Sequence, residues 1–405
     1  MFQFVLRASP NAMAKDFMEA FAIQATSLGV LASCYYYPYA TLQIPLGVLL
    51  DRIGPARVMR WAIIICVAGV FSLSVAPTFF VACMGRVLIG IGASGAFLST
   101  LAWARHWLPA SRVALAVGLT FAAGKFGGFM SGPPLTFLVQ TFDWRVALMV
   151  LGGIGGLIAL LLWIFLDVGR KKTQEADKER SSSHVLENLL VLLKTKRMWI
   201  IAFYGCMMFV PISAFTDMWT TLFMMKKHGI PKAVASWGTG FVFAGTVVGG
   251  PLIALLSNRL GSRRIPMRAS ALISLLLSLC LVFVSYDNLY ISYTLLLLLG
   301  LCMTGQSLTF TCAAEAMPSS MGGVATGLAN TLIMMGGALF QPLVGFVLDL
   351  LWDGSYSSAG VRSYALGSFT WAMALWPLAM GTGLVLSFFL PETHPKKRTI
   401  NVGEG

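Results

Sequence analysis

Charge is what this sequence has little of: of 405 residues, 16 are acidic and 29 basic, 11% together. A water-soluble domain carries about 25% charged residues, so this chain lacks the polar surface to face water all round. Histidine is scarce, at 4 residues, and none falls deep in an apolar run, which disfavours a histidine proton relay. The 7 cysteines (34, 66, 83, 206, 280, 302 and 312) are scattered through apolar segments. They make no CxxC pair and no metal-ligand spacing, so no metal is expected. No Gly-x-x-x-x-Gly-Lys loop is present, which disfavours ATP-driven chemistry. No hydrolase constellation is visible, so neither enzymatic activity nor a cofactor is expected. The opening also lacks the basic segment and cleavage site of a signal peptide.

What is there is apolar and long. A membrane-spanning helix needs about 20 largely apolar residues. Such runs are read at 26–50, 58–80, 82–103, 113–137, 146–167, 198–224, 234–257, 268–286, 290–312, 322–348 and 365–390. A twelfth span is implied at the start, where Met1 to Met13 is apolar but too short to cross, so the first helix is expected to be shortened at its N-terminus. The 41 glycines suit close helix packing in lipid.

The basic residues sort by side. Arg52, Arg57, Arg60, Arg105, Arg112, the cluster Arg170 to Arg197, Arg259, Arg263, Arg264, Arg268 and Lys396 to Arg398 lie together, 20 in all. The other side has Lys15, Arg145, Lys226, Lys227, Lys232 and Arg362, and three cations fall inside spans: Arg7, Arg86 and Lys125. The positive-inside rule puts both termini in the cytoplasm. It also accounts for the net charge of +13 without nucleic acid. The expected partners are a lipid bilayer, a small-molecule solute and protons, and a monomer is expected.

The polar stretch 168–197 reads as a cytoplasmic linker with a surface helix near Val185–Leu193. It separates an N-terminal six-helix bundle, 1–167, from a C-terminal one, 198–390, with a cytoplasmic tail at 391–405. The halves repeat. Arg52, Gly54 and Arg57 match Arg259, Gly261 and Arg264 at an offset of 207; Gly118, Gly127, Gly128 and Pro133 match Gly327, Gly336, Gly337 and Pro342 at 209. Parallel repeats of this kind place a solute site at their interface near the midplane.

Gly47-Val-Leu-Leu-Asp51-Arg52-Ile-Gly54-Pro-Ala-Arg57 resembles the signature loop between the second and third helices of the major facilitator superfamily. Arg86-Val-Leu-Ile-Gly90-Ile-Gly92 resembles its fourth-helix motif, and Pro391-Glu392-Thr393 a common terminal motif. The resemblance implies an all-α membrane fold of two pseudo-symmetric six-helix bundles that works by alternating access. It implies that Gly47, Asp51, Arg52, Gly54 and Arg57 form a gating latch of the outward-open state; a plain positive-inside anchor is the alternative. Gly47 is expected to admit a close helix. Asn258 stands where the second half would carry the acid, so that copy is expected to latch weakly. An exporter-type fifth-helix motif is incomplete: Gly128, Gly132 and Pro133 are present, but Thr136 and Phe137 replace its last glycines. The segment around Arg7, the Tyr35 to Tyr39 cluster and Gln43-Ile-Pro45 look like solute- and anion-uptake branches, which place a cation on the first helix.

Ionisable residues within a span are costly and mark function by default. Arg7 lies nine residues before Asp16, roughly 14 Å in; Asp217 lies as far before Lys226; Lys125 is about 20 Å from Arg112. Arg7 and Asp217 are 210 apart, near the repeat offset. They are read as a proton-coupled pair, as a static ion pair, or as having no contact. Lys125 either faces the cavity or is bonded to backbone carbonyls. Arg86 either assists proton transfer or is structural. Tyr35, Tyr39 and Gln43, at i, i+4 and i+8, form one stripe, as a solute wall or an aromatic belt. Trp219 and Gln306 are the candidate solute contacts of the second half, and Glu315 a candidate of the cytoplasmic gate. The expected function is proton-coupled symport of a small anionic or zwitterionic solute across a bacterial inner membrane, driven by the proton gradient. The alternatives are proton-coupled export of a drug-like or siderophore-like compound, and a transporter-like nutrient sensor.

Overall fold

The computed structural model describes residues 1–166, 187–318 and 321–395. Apolar surroundings leave backbone N–H and C=O groups no partner but each other, so the chain coils into helices. Among the described residues the strand-like pairing is a single bridge, Tyr356 to Arg362.

The first crossing is α1, Phe2–Phe21. The apolar run ended at Met13, but the helix continues through Lys15 and Asp16 to 20 residues, about 30 Å. It is shorter than its repeat counterpart, Lys196–His228 with 33 residues, and is not apolar enough to span by itself, in line with the shortened first helix expected from the sequence. Its charged last turns end in polar contacts: Lys232 pairs with Asp16 at 2.6 Å and Lys15 with Glu19 at 3.6 Å. The second crossing is α2, Ala25–Ser33, continued after a break by α3, Tyr36–Ile53. Then follow α4, Pro55–Ser74, and α5, Phe79–Trp107. The pair α6, Ala110–Met130, and α7, Pro133–Phe142, is interrupted at Gly132-Pro133, and α8 is Trp144–Phe165.

The linker expected at 168–197 falls mostly outside the described residues, as does Val185; a short helix, α9, occupies 187–194. The second half begins with α10, Lys196–Val210, a π-helical segment at Pro211–Trp219, and α11, Thr220–His228. Next come α12, Lys232–Leu260, and α13, Arg264–Phe283. Then α14, Leu289–Cys302, a 3-10 turn Met303–Ser307 and α15, Leu308–Glu315, make one crossing. Finally come α16, Gly322–Leu350, and the pair α17, Leu366–Met373, and α18, Leu375–Phe389. Among the described residues these elements make twelve crossings. Nine, among the described residues, are long and apolar enough by themselves; α1 carries charges, and α2–α3 and α6–α7 are broken.

The repeat is realised in matching hardware at the end where the basic loops gather, here the basic end. Gly54 and Gly261 both hold positive φ, 85° and 56°, which lets the chain turn tightly after α3 and α12. Arg60 of α4 donates to the carbonyls of Leu162, Trp163 and Leu166 at the end of α8. Arg264 and Arg268 of α13 donate to Phe388 and Ser387 at the end of α18. Each half thus uses its third crossing to satisfy the orphan carbonyls of its sixth.

The halves meet from the opposite, far end down to mid-membrane. Small residues set the approach: a Cβ at Gly29 would stand 2.4 Å from the Gln341 carbonyl, and one at Gly345 would stand 2.2 Å from the Ala25 carbonyl. At the far end Asp349 accepts from Thr26 N (2.8 Å), Thr26 Oγ1 (2.5 Å) and the Tyr364 hydroxyl (2.5 Å), and pairs with Arg362 at 3.4 Å. Tyr364 in turn accepts from Ala25 N at 3.0 Å. With Asp16–Lys232, these contacts seal the far end.

Candidate solute site

The site begins with a proline. Pro10 has no N–H, so in α1 the Leu6 carbonyl loses its helical partner. Arg86, fully buried on α5, fills the vacancy: its Nη1 donates to Leu6 O at 2.7 Å, and its Nη2 to Arg7 O at 3.3 Å and Ala32 O at 3.2 Å. Ala32 is the last turn of α2 before the break, so one guanidinium clamps two helix defects. All its donated bonds go to backbone carbonyls, and its carbon lies 5.4 Å from the Tyr35 ring centre.

This clamp fixes the backbone of Arg7, whose side chain leaves α1 toward the second half. Its Nε lies 2.7 Å from Asp217 Oδ2, and its Nη2 donates to Oδ1 at 3.4 Å. Arg7 is 5% exposed and Asp217 is fully buried. The rings of Phe4 and Phe209 lie 4.7 and 5.6 Å from the guanidinium carbon. Asp217 sits on the π-helical segment, which Thr216 and Thr220 hold open by donating to carbonyls five residues back, Pro211 and Phe215, both at 3.0 Å. Such widened turns recur at functional positions. The Tyr36 hydroxyl donates to Asp217 Oδ2 at 2.6 Å. Gln341 Nε2 donates to Ser213 O at 2.7 Å, and Trp219 Nε1 to Gln341 O at 3.3 Å. Nearby, Asn11 bridges the halves: it donates to Thr239 Oγ1 (2.7 Å) and accepts from Thr221 N (3.1 Å).

Lys125, half-buried on α6, is close enough to the pair for both charges to act on it. Among the described residues it makes no hydrogen bond or ion pair. Tyr35 and Tyr39 are buried and stack with ring centres 5.6 Å apart. Tyr35 also meets Tyr36 edge-on at 5.2 Å. The Tyr39 hydroxyl lies close to the side chains of Gln43 and of Asn330 on α16. Gln43 is 4% exposed and its Nε2 has no partner. The stripe therefore runs into the protein between α3 and α16 instead of lying in an outer belt. Trp219 joins the Asp217 surroundings; Gln306, buried on the 3-10 turn, is not tied to them by any hydrogen bond among the described residues.

At the basic end, the side chain of Asp51 lies outside the described residues, while Arg52 and Arg57 are exposed. Among the described residues Gly47 admits no close helix: a Cβ there would meet nothing within 4 Å. In the second half, the acid missing at Asn258 is supplied from elsewhere. Arg263 makes a two-point contact with Glu315 (2.9 and 3.2 Å) and donates to Asn258 Oδ1 at 3.0 Å. Glu392 accepts from Arg263 N at 2.9 Å and from the Ser262 hydroxyl, and Thr393 donates to Glu315 at 2.9 Å. These contacts lie within the second half and dock the first residues of the tail against it.

Sequence reading missed Tyr36, Ser213, Gln341, Asn11 and Asn330. Tyr36 was visible as a neighbour in the tyrosine run, but its direction depends on the break at Cys34-Tyr35. The others are single polar residues in apolar helices and become significant only through partners over 100 residues away.

A carboxylate presented to Arg7 would compete with Asp217 for the same guanidinium edges. The family model of the Major Facilitator Superfamily matches residues 1–341 and, in a second alignment, 218–405. The chain is 34% identical over 161 residues to the uncharacterized transporter YybO of Bacillus subtilis, covering 40% of this chain and 37% of that one. The chain thus spans little more than a third of that relative's length. It is 24% identical over 388 residues to the probable galactarate/D-glucarate transporter GudP of Escherichia coli, covering 87% and 84%. Its fold is shared with a bacterial homologue of the human lysosomal transporter Spinster in an inward-facing, occupied conformation, with a TM-score of 0.72 at 15% identity over 96% and 93% of the chains. Two six-crossing repeats, joined at one end over a buried charge pair and matched along their whole length by that family model, make this chain a multi-pass membrane protein of the Major Facilitator Superfamily.

Proposed function

We propose that the chain is a proton-coupled symporter of small organic anions, working by alternating access in a bacterial inner membrane with its basic end in the cytoplasm. The observation that carries this reading is the Arg7–Asp217 pair, which joins the halves with both side chains buried. An incoming carboxylate takes Arg7 from Asp217. The freed Asp217, with Tyr36 still donating to one oxygen, takes up a proton so that it is not left charged and unpaired in an apolar surround. Substrate and proton then travel together, and after release the pair reforms. Lys125 supplies a second positive charge for the same anion, while Tyr39, Gln43 and Asn330 offer hydrogen bonds to hydroxyls. Relatives whose names refer to sugar acids support the choice of anion.

The experiment is uptake into proteoliposomes of D-galactonate, D-glucarate and a neutral sugar under imposed pH gradients of each sign. An inward proton gradient should drive accumulation of the anions alone. Asp217→Asn should abolish accumulation yet keep counterflow exchange, and Arg7→Ala should lose both. Wild-type pH dependence in both variants refutes the coupling. Stimulation by the opposite gradient supports the exporter reading, and binding without flux the sensor.

A further inference from the structure

Four side chains at the basic end line an open cavity of about 220 Å³ apart from the candidate solute site: Arg57, Arg60, Trp61 and Trp163. The first three stand at i, i+3 and i+4 in the opening turns of α4, so they share one face. Trp163 belongs to the last turn of α8. Trp61 and Trp163 meet edge to face with ring centres 6.3 Å apart, and are 57% and 50% exposed. In a multi-pass protein that exposure is to lipid, at the depth where indoles settle between acyl chains and headgroups.

The charge here is positive and partly unspent. Arg60 lies 5.1 Å from the Trp163 ring and turns its N–H groups to the last carbonyls of α8, which offsets the negative end of that helix. Arg57 is exposed and, among the described residues, has no hydrogen bond or ion pair. The first turn of α4 carries no acidic residue, so its N-terminus adds to the positive field. Neither indole N–H has a partner among the described residues. The second half differs: Arg264, the repeat counterpart of Arg57, spends a donor on the Phe388 carbonyl.

We propose that this cavity binds the phosphodiester headgroup of an anionic phospholipid in the leaflet at the basic end. Arg57 and the indole N–H groups donate to the phosphate oxygens, Arg60 supplies fixed charge from behind, and the two indole bodies flank the first acyl carbons. A soluble phosphate would use the cations but leave the lipid-facing indoles without purpose. The proposal does not depend on which solute is carried or in which direction.

The purified full-length chain, titrated with phosphatidylglycerol, phosphatidylcholine and inorganic phosphate under native mass spectrometry, tests it. Phosphatidylglycerol should be retained in preference to phosphatidylcholine. Arg57→Gln should weaken its retention about fivefold, the share of one interfacial cation, and Trp163→Leu should weaken it too. Arg259→Gln, at an exposed arginine of the same end in the other half, should leave it unchanged. Equal losses in both arginine variants would mean nonspecific charge attraction. Equal retention of the two lipids would leave an aromatic belt only. Displacement of phosphatidylglycerol by millimolar inorganic phosphate would indicate a soluble ligand. Each of these three results overturns the proposal.

Discussion

Arg7 and Asp217 are separated by 210 residues, nearly the spacing of the internal repeat, and meet at 2.7 Å in mid-membrane. They occupy equivalent places on the first and seventh crossings, so the repeat itself brings opposite charges face to face. Removing one partner strands the other. Asp217→Ala should lower stability by about 3–5 kcal/mol, the cost of an uncompensated buried charge. The double variant Arg7→Met/Asp217→Leu should recover most of the loss. Thermal unfolding in detergent reads both, and a single variant as stable as wild type would contradict the burial described.

Arg86 and Pro10 form a second dependent pair. Arg86→Met should cost about 3 kcal/mol, because three buried carbonyls lose a charged donor together, although Leu6 O keeps the Ser9 hydroxyl and Ala32 O the Tyr35 N–H. Adding Pro10→Ala should soften that loss, since an alanine there returns a helical N–H to the Leu6 carbonyl. If the proline change makes the methionine variant worse, the clamp is not the reason for this arginine.

The far-end seal depends on Gly345 and Gly29. A methyl group at Gly345 must push α16 away from the Ala25 carbonyl. Gly345→Ala should therefore favour opening at the far end. A cysteine introduced at Asn11 should then react several-fold faster with a membrane-impermeant thiol reagent applied from that side. Unchanged labelling would mean that the seal absorbs the methyl group.

The basic-end cluster of the second half should show acid sensitivity. Burial pushes the Glu392 carboxyl up, but hydrogen bonds from the Arg263 and His394 N–H groups and the Ser262 hydroxyl outweigh it and leave the carboxyl below its ordinary value. A depressed folded value means that its stabilisation is complete above the unfolded value, near 4.3, and is lost as pH falls through the folded one. Glu392→Gln should flatten the fall of thermal stability below about pH 4.3. A variant whose acid profile overlays wild type would rule this out.

Much of this architecture was legible in the sequence because lipid imposes a one-dimensional rule. Spans must be apolar and about 20 residues long, cations gather on one side, and a duplicated half repeats its glycines and arginines. At α1 the apolar run is short, and a charged end continues the helix beyond it to 20 residues. The rule says nothing of the partners of Arg263 beside Asn258, since Glu315 and Glu392 come from far off in sequence.

The sequence by itself determined the number of crossings, the repeat, and the depth of Arg7, Asp217 and Lys125, since hydropathy and helical rise act locally along the chain. Only the tertiary structure decided that Arg7 and Asp217 touch, that Tyr36 rather than its neighbours serves the carboxylate, and that Arg86 addresses backbone carbonyls. Those outcomes depend on the carbonyl that Pro10 leaves free and on which way a helix turns after Cys34-Tyr35 or along Pro211–Trp219. A break changes the facing of every residue beyond it, and its direction is settled by partners from the other half of the chain.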